Sequence, residues 1–359
     1  MVIINGKFLA QQVTGVQRVA TEIVKRIDKY DKFVAMNHVA LLSPKGSKPL
    51  RLYNIEHIVK GKLSPFWEYT YLTKEVVKRS ASCFSFSSGF PLFCNNGIHF
   101  LHDVSEEANP EYFSRPYRMF YSNLRRHLEK NDSIKIVTNS EFSKSEILRY
   151  FPGFAGRITV VYCGWEHLTD LKPNDEIMNK LGVENGKYFL TVAGPTKHKN
   201  LQIILEAAKN RKNDLFLVVG KRPEKRVFLK TAASMEQQID QLENVRFAGY
   251  LEDNELLTLM QHARALIFPS LYEGFGLPAL EAIYCNKPIL LSDIPVFREL
   301  YGDVATFFNP HNASDLLNKI DNVKAIDPYS REKILQTYTW DNCVKKIIDL
   351  WNNSTAINT

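Results

Sequence analysis

The chain has 359 residues, 45% of them hydrophobic and 24% charged, a balance that excludes a disordered, fibrous or membrane-embedded protein. Domains commonly run about 100–200 residues, so two cores are expected, each large enough to close without disulfides or metal. The net charge of +7 is uneven: residues 1–100 hold 14 Lys+Arg against 6 Asp+Glu, and residues 101–359 hold 32 against 33. A basic region of that size suits anionic lipid, a phosphorylated substrate, nucleic acid or plain solvation.

In chain order, short apolar runs alternate with longer helical patterns, which predicts α/β layers on parallel sheets. Val2–Ile4 reads as a strand, and Thr14-Gly-Val-Gln-Arg18 leads into a helix in which Val16, Val19, Ile23, Val24 and Ile27 recur at helical spacing. Strands follow at Val39–Leu42, Cys83–Phe86, Gly97–His102 and Lys135–Asn139, with helices at about 66–79, 115–130 and 141–151 and a closing strand at 158–162. The first domain is therefore drawn over 1–168, and the polar stretch 169–186 reads as a linker with room for a short helix. A second α/β domain, 187–339, opens on the strand Tyr188–Gly194. It continues with helix 201–210, strand 215–220, helix 224–241, strand 245–247, helix 253–262, strand 265–269, helix 278–285, strand 288–292 and helix 294–301.

The five cysteines (Cys83, Cys94, Cys163, Cys285, Cys343) are odd in number, scattered and free of CxxC spacing, which predicts a reduced, cytoplasmic chain. The start, MVIINGKFLA, lacks a cationic segment before a long apolar run, and no run of about 18 apolar residues occurs, so neither export nor spanning is expected. Peripheral attachment stays open. Residues 66–79, with Phe66, Trp67, Tyr69 and Tyr71 beside Lys74, Lys78 and Arg79, fit a helix with one packed face or one lying at a membrane surface.

Chemistry concentrates in Phe268-Pro-Ser-Leu-Tyr-Glu-Gly-Phe-Gly-Leu-Pro-Ala-Leu-Glu-Ala282. A strand runs into a loop with Gly274 and Gly276, and Pro278 sits where a first helical turn starts, since its fixed φ suits that place. A helix N-terminus behind a glycine loop is an anion site. Glu273 and Glu281 flank it; carboxylates repel phosphate, so they fit hydroxyls of a sugar or ribose better.

This stretch resembles the double-glutamate motif of retaining glycosyltransferases of family 4, whose GT-B fold has two facing Rossmann-like domains around a cleft. Val192-Ala-Gly-Pro-Thr-Lys-His-Lys-Asn200 and the helix after it, Val218-Val-Gly220, Val245–Tyr250, Ser292-Asp-Ile-Pro295 and Tyr338-Thr-Trp340 are similar to the family in the same order. In the first half, Thr14–Arg18, Leu101-His-Asp-Val104 and Thr138–Ser143 resemble, more loosely, members acting on bacterial surface polysaccharides, mannosyltransferases among them.

The resemblance implies that Glu273 contacts donor-sugar hydroxyls and Glu281 the ribose. It implies that amides of Phe275, Gly276 and Leu277, beside Gly274, hold the diphosphate and that Lys199, after Gly194, stabilises the leaving nucleotide. Many members carry an arginine near that lysine; here Pro195 and His198 stand there, so Lys197 or a protonated His198 supplies the second charge, or one cation suffices. A titrating His198 would make the rate pH-sensitive. His102 and Asp103 are expected at a strand's carboxyl edge near the donor sugar, Gly15 near diphosphate or acceptor, Arg18 as an acceptor phosphate contact or a surface residue, and Tyr250 stacked on the nucleobase. The last helix, about 340–355, is expected to return to the first domain.

The reading is a retaining hexosyltransferase that uses a nucleotide diphosphate sugar, GDP-mannose before UDP-sugars, and a glycan or lipid-linked acceptor. It needs no cofactor or metal, and peripheral contact with anionic membrane would explain the basic first domain. The rivals are an epimerase or phosphorylase on the same twin-Rossmann plan, an inactive nucleotide-sugar-binding subunit, and a nucleic-acid-binding module, which lacks any recognisable motif for that task.

Overall fold

The computed structural model describes residues 1–87, 89–223 and 230–356. They form two compact units, one drawn from residues 1–164 with 338–356, the other from residues 165–337.

The first unit runs β1 (Val2–Asn5), α1 (Gly15–Ile27), α2 (Asp31–Asn37), β2 (Val39–Lys45), β3 (Glu56–Lys62), a π-helical turn (Glu68–Leu72), α3 (Thr73–Lys78), β4 (Ser82–Ser85), β5 (Gly97–Phe100), α4 (Ser105–Ala108), α5 (Arg115–Glu129), β6 (Ile134–Thr138), α6 (Glu141–Tyr150) and β7 (Ile158–Val160). The second runs α7 (Glu176–Leu181), β8 (Tyr188–Val192), α8 (Leu201–Asn210), β9 (Leu215–Val219), α9 (Lys230–Asp240), β10 (Val245–Gly249), α10 (Asp253–His262), β11 (Ala265–Phe268), α11 (Leu277–Tyr284), β12 (Ile289–Ser292), α12 (Pro295–Tyr301), β13 (Thr306–Phe308), α13 (Ala313–Asp321) and α14 (Pro328–Thr337). Helix α15 (Trp340–Ala356) then belongs to the first unit.

Among the described residues the sheets have seven and six strands, in the orders β3-β2-β1-β4-β5-β6-β7 and β10-β9-β8-β11-β12-β13, with every pairing between strands parallel. Both are the doubly wound order. The central strands are apolar on both faces because helices cover both sides. Each fully buried Leu, Ile or Phe contributes on the order of 2 kcal/mol of transfer free energy, and Phe189, Ile204, Phe216, Ile267 and Leu290 supply that in the second unit. In the first, Trp67, Phe90, Ile136, Ile147 and Phe154 do so.

Local signals account for the element ends that matter. Thr14 opens α1 through a capping box, its backbone N–H donating to Gln17 Oε1 at 3.1 Å. Strand β5 stops at Phe100, short of the expected His102. Leu101 still donates to the Val137 carbonyl at 2.8 Å, after which His102 turns aside to bond the Phe86 carbonyl. The helix expected over 66–79 divides into the π-helical turn and α3, with Trp67, Leu72 and Val76 buried. Positions 224–229 of the helix expected over 224–241 lie outside the described residues.

The stretch expected as a linker, 169–186, is instead part of the second unit. Asn174 N–H donates to Thr258 Oγ1 at 2.7 Å, and Ile177 and Val183 are buried. Those two apolar residues are too few among polar neighbours to give a period. Helix α15 buries Trp340, Val344, Ile347 and Trp351; the Trp351 ring meets Phe84 at 5.0 Å and its Nε1 donates to Asn37 Oδ1 at 2.8 Å.

Candidate functional site

In an open parallel sheet, ligands bind beyond the carboxyl ends of the strands where the winding direction reverses. Here the reversals fall between β1 and β4 and between β8 and β11. At the second, the loop after β8 ends in a 3-10 turn, Lys197–Lys199, and Lys199 Nζ donates to Glu273 Oε1 at 2.5 Å from the loop after β11. The Lys199 ammonium also stands 5.5 Å from the centre of the Phe268 ring. Both side chains keep some solvent access, 26% for Lys199 and 14% for Glu273.

The loop closes on α11 through Gly276, whose φ of +88° is left-handed and whose missing Cβ would lie 2.7 Å from Phe297 Cε1. Tyr301 Oη donates to the Gly276 carbonyl at 3.3 Å, and the side chains of Phe275 and Leu277 are buried. Pro278 carries no N–H and Ala279 donates back to Gly276, so any amide of this helix end that meets an anion precedes Pro278. One helical turn on, Glu281 Oε1 accepts from His167 Nε2 at 3.1 Å. His167 lies in the 3-10 turn Glu166–Leu168, and no sequence pattern pointed to it.

Burial foremost, then the neighbouring Lys199, pushes the His198 imidazole below its ordinary value, with Glu273 opposing. That shift favours the neutral imidazole of His198, and Lys197 of the same loop is exposed. Gly194 borders open space. Tyr250, 60% exposed, follows β10, where Gly220 donates to the Gly249 carbonyl at 2.8 Å.

The first unit's reversal point is filled by protein. Asn5 Nδ2 donates to Ser85 Oγ at 3.0 Å and the Gly89 carbonyl at 3.3 Å, and Lys7 is paired with Glu68 of the π-helical turn. Lys7 also donates to the Pro65 carbonyl at 3.0 Å. Burial raises the Glu68 carboxyl despite the opposing pull of Lys7. Beside this cluster His102 Nε2 donates to the Phe86 carbonyl at 3.0 Å, and its ring stacks on Phe100 at 4.4 Å. Burial drives its pKa down to about 4, so it is a neutral Nε2–H tautomer at pH 7. Asp103 Oδ1 accepts from Ser105 N–H at 2.9 Å, turning the chain into α4. Gly15 is exposed at the start of α1 and Arg18 is partly buried one turn on.

Residues 173–340 match the family described as glycosyl transferases group 1. The chain is 29% identical over 268 residues to the O-antigen chain mannosyltransferase RfbU of Salmonella typhimurium, covering 73% of this chain and 70% of that one. It is a hexosyltransferase whose second unit is similar to group 1 glycosyltransferases. The transferase is also 28% identical over 270 residues to O-antigen chain mannosyltransferase B of Escherichia coli, covering 70% of this chain and 68% of that one. Its fold is GT-B: Anabaena Alr3699/HepE, solved with UDP and glucose, superposes with a TM-score of 0.74 at 18% identity over 98% of this chain and 99% of that one.

The family match covers the reversal point of the second unit, where Lys199, Glu273, the Gly274–Leu277 loop and Glu281 come together. His102 and Asp103 lie in the first unit near its own reversal point. Among the described residues of the transferase, no helix is long and apolar enough to cross a membrane.

Proposed function

We propose that the transferase moves a hexose from a nucleotide diphosphate sugar to a glycan or lipid-linked oligosaccharide in surface-polysaccharide assembly, with retention at the anomeric carbon. GDP-mannose is the first choice of donor, in keeping with the two O-antigen mannosyltransferase relatives, and a UDP-sugar is the second. The observation that carries the reading is the Lys199–Glu273 contact of 2.5 Å beside the glycine loop that opens α11.

In this reading the donor divides the pair. The Lys199 ammonium turns to the diphosphate, and the freed Glu273 carboxylate accepts hydrogen bonds from sugar hydroxyls. Amides of Phe275, Gly276 and Leu277 meet the phosphates, Glu281 accepts from the ribose, and His167 holds Glu281 in place. Tyr250 stacks on the base, and Gly194 leaves room for the donor.

The bond from the anomeric carbon to the diphosphate oxygen breaks with its electron pair on that oxygen. The acceptor hydroxyl forms the new bond on the same face and passes its proton to the leaving phosphate. Lys199 and the loop amides stabilise the negative charge that grows on the leaving phosphate as the bond breaks, the kind of interaction that raises kcat. Neutral His102 shapes the reacting centre without carrying charge. Lys197 adds the second positive charge, and the chemistry requires no metal. The acceptor arrives on the first unit, near Gly15 and Arg18, at the inner membrane face.

The test is transfer from GDP-mannose or UDP-glucose to a lipid-linked glycan, with the product anomer read by NMR. Retention in the product is expected. An inverted product overturns the mechanism, and donor turnover without acceptor consumption favours an epimerase or phosphorylase.

A further inference from the structure

The formal charge of the first 100 residues understates how basic their surface is. Of their six carboxylates, Glu22, Asp28, Glu68 and Glu75 are buried, and each has an internal partner. Glu22 pairs with Arg26, Glu68 with Lys7, and Glu75 with Lys60 and Arg79, while Asp28 accepts backbone N–H groups of Tyr53, Asn54 and Ile55. Beyond residue 100, Glu106 and Glu107 of α4 are likewise held inside, by Arg125 at 2.8 and 2.5 Å. Of the first 100 residues' fourteen cations only Lys7 and Arg26 are buried, so twelve cations stand against two acids, Asp31 and Glu56, outside the core.

Helix α5 displays the result. Its sequence, RPYRMFYSNLRRHLE, has four arginines and one glutamate. Leu124, Arg125 and Leu128 face the core, while Arg115, Met119, Asn123, Arg126 and, at the helix end, Lys130 recur at helical spacing on one exposed stripe. Beside that stripe lies an aromatic patch. Phe66 meets Phe120 at 6.4 Å, Phe120 meets Tyr121 at 5.3 Å, and Tyr121 meets Tyr117 at 4.7 Å. Phe66, Met119, Phe120 and Tyr117 are 59%, 65%, 37% and 43% exposed, although Tyr121 and Tyr69 beneath them are packed. Exposed Lys62 and Leu63 precede Phe66.

We propose that this surface, Phe66 with the Arg115–Lys130 stripe and Met119, Phe120 and Tyr117 of α5, docks on an anionic lipid bilayer. Aromatic and methionine side chains enter the headgroup boundary while the arginines and lysines meet lipid phosphates. A contiguous exposed apolar patch marks an interaction surface, and the cations around it select a negatively charged one. The placement deepens the reading of a lipid-linked acceptor, which gives the docking its purpose, but its geometry owes nothing to the donor site. α5 is also tied by Arg125 to α4, which directly follows His102 and Asp103.

The test is co-sedimentation of the whole transferase with phosphatidylglycerol vesicles and with phosphatidylcholine vesicles, alongside its sedimentation velocity and a thermal shift with nucleoside diphosphate. The transferase is expected to bind the anionic vesicles at least tenfold better than the neutral ones, with binding falling as salt rises. Met119→Glu with Arg126→Glu, both at exposed positions, is expected to reduce vesicle binding at least tenfold and leave the nucleotide shift unchanged. Phe120→Ser is expected to act in the same direction. Vesicle binding that survives the double substitution overturns the proposal. So does a wild type indifferent to anionic lipid, or a wild-type dimer that the substitution splits, which would make a second copy the occupant. Loss of the nucleotide shift in the wild type would count against the donor reading and leave the lipid surface standing.

Discussion

The two reversal points offer the same topological opportunity and use it in opposite ways. Between β1 and β4 the crevice is closed by a buried network, Asn5, Ser85, Gly89 and the Lys7–Glu68 pair, whose side chains are 11% and 6% exposed. Between β8 and β11 another Lys–Glu pair, Lys199 with Glu273, stands at 26% and 14% exposure beside the glycine loop that opens α11. A buried pair whose lysine also donates to a backbone carbonyl holds a fold together. A half-open pair at a helix N-terminus is available to be divided by a substrate. Residue type alone does not separate them; burial and what surrounds them do.

The comparison breaks most visibly at Lys7. Lys7→Ala leaves Glu68 buried without its cation and is expected to cost about 3–5 kcal/mol of stability, read as a lowered urea midpoint with no specific effect on nucleotide binding. Lys7→Met combined with Glu68→Leu is expected to recover most of that loss, because an apolar pair of similar volume removes the desolvation penalty. If Lys7→Ala were thermally silent, the first pair would not be structural. At Lys199 the expectation reverses. Lys199→Ala is expected to lower kcat by roughly 10²–10³-fold and to move the melting temperature little. A near wild-type rate would remove Lys199 from the site.

Smaller effects sharpen the picture. Gly276→Ala places a Cβ against Phe297 in a left-handed backbone and is expected to cost about 1–3 kcal/mol, seen as lost thermal stability together with weaker nucleotide binding. His167→Ala removes the donor that holds Glu281 and is expected to weaken nucleotide binding by about tenfold, the worth of one hydrogen bond to a charged group. Unchanged affinity would make that contact incidental.

At pH 7 the buried histidines cost almost nothing, and their effect emerges on acidification. Burial lowers His102 to about 4 and His99 to about 3 from an ordinary 6.5. Between those values and 6.5 the unfolded chain binds more protons than the folded one. Stability is therefore whole above about 6.5 and falls as pH drops toward 4. His102→Asn is expected to flatten that slope in melts at pH 7, 6 and 5, and an unaltered slope would place the titration elsewhere.

What could be read from the sequence and what could not divide along a physical line. The Glu273–Glu281 loop was legible because a strand end, two glycines, a helix-starting proline and both carboxylates sit within one short segment, and the doubly wound order was legible because central parallel strands are continuous apolar runs. Strand β3 was not, because EHIVKGK sits at a sheet edge with its side chains half exposed and carries no apolar run. Strand β13 has only three residues and helix α14 no clear apolar face, whereas α13 carries a legible one in Leu316 and Ile320 that the sequence reading does not use. His167 was hidden because it reaches Glu281 across 114 residues, and the Lys7–Glu68 pair because buried charges leave no pattern in a chain. The titration of His198 required knowing what lies against it. The same holds for the inward turn of four of the six acids in the first 100 residues, which makes their surface more basic than their composition.

The most direct measurement is a thermal shift with GDP, UDP, ADP and dTDP on the wild type and on Lys199→Ala. A nucleoside diphosphate at a hundredfold excess over its Kd adds about 2.7 kcal/mol of stability to a protein that binds it only when folded. The predicted result is a clear shift of the wild type with at least one of the four, GDP first, and a shift reduced by more than half in Lys199→Ala. Equal shifts in the two proteins, or none in the wild type, contradict the assignment of the second reversal point to the donor diphosphate.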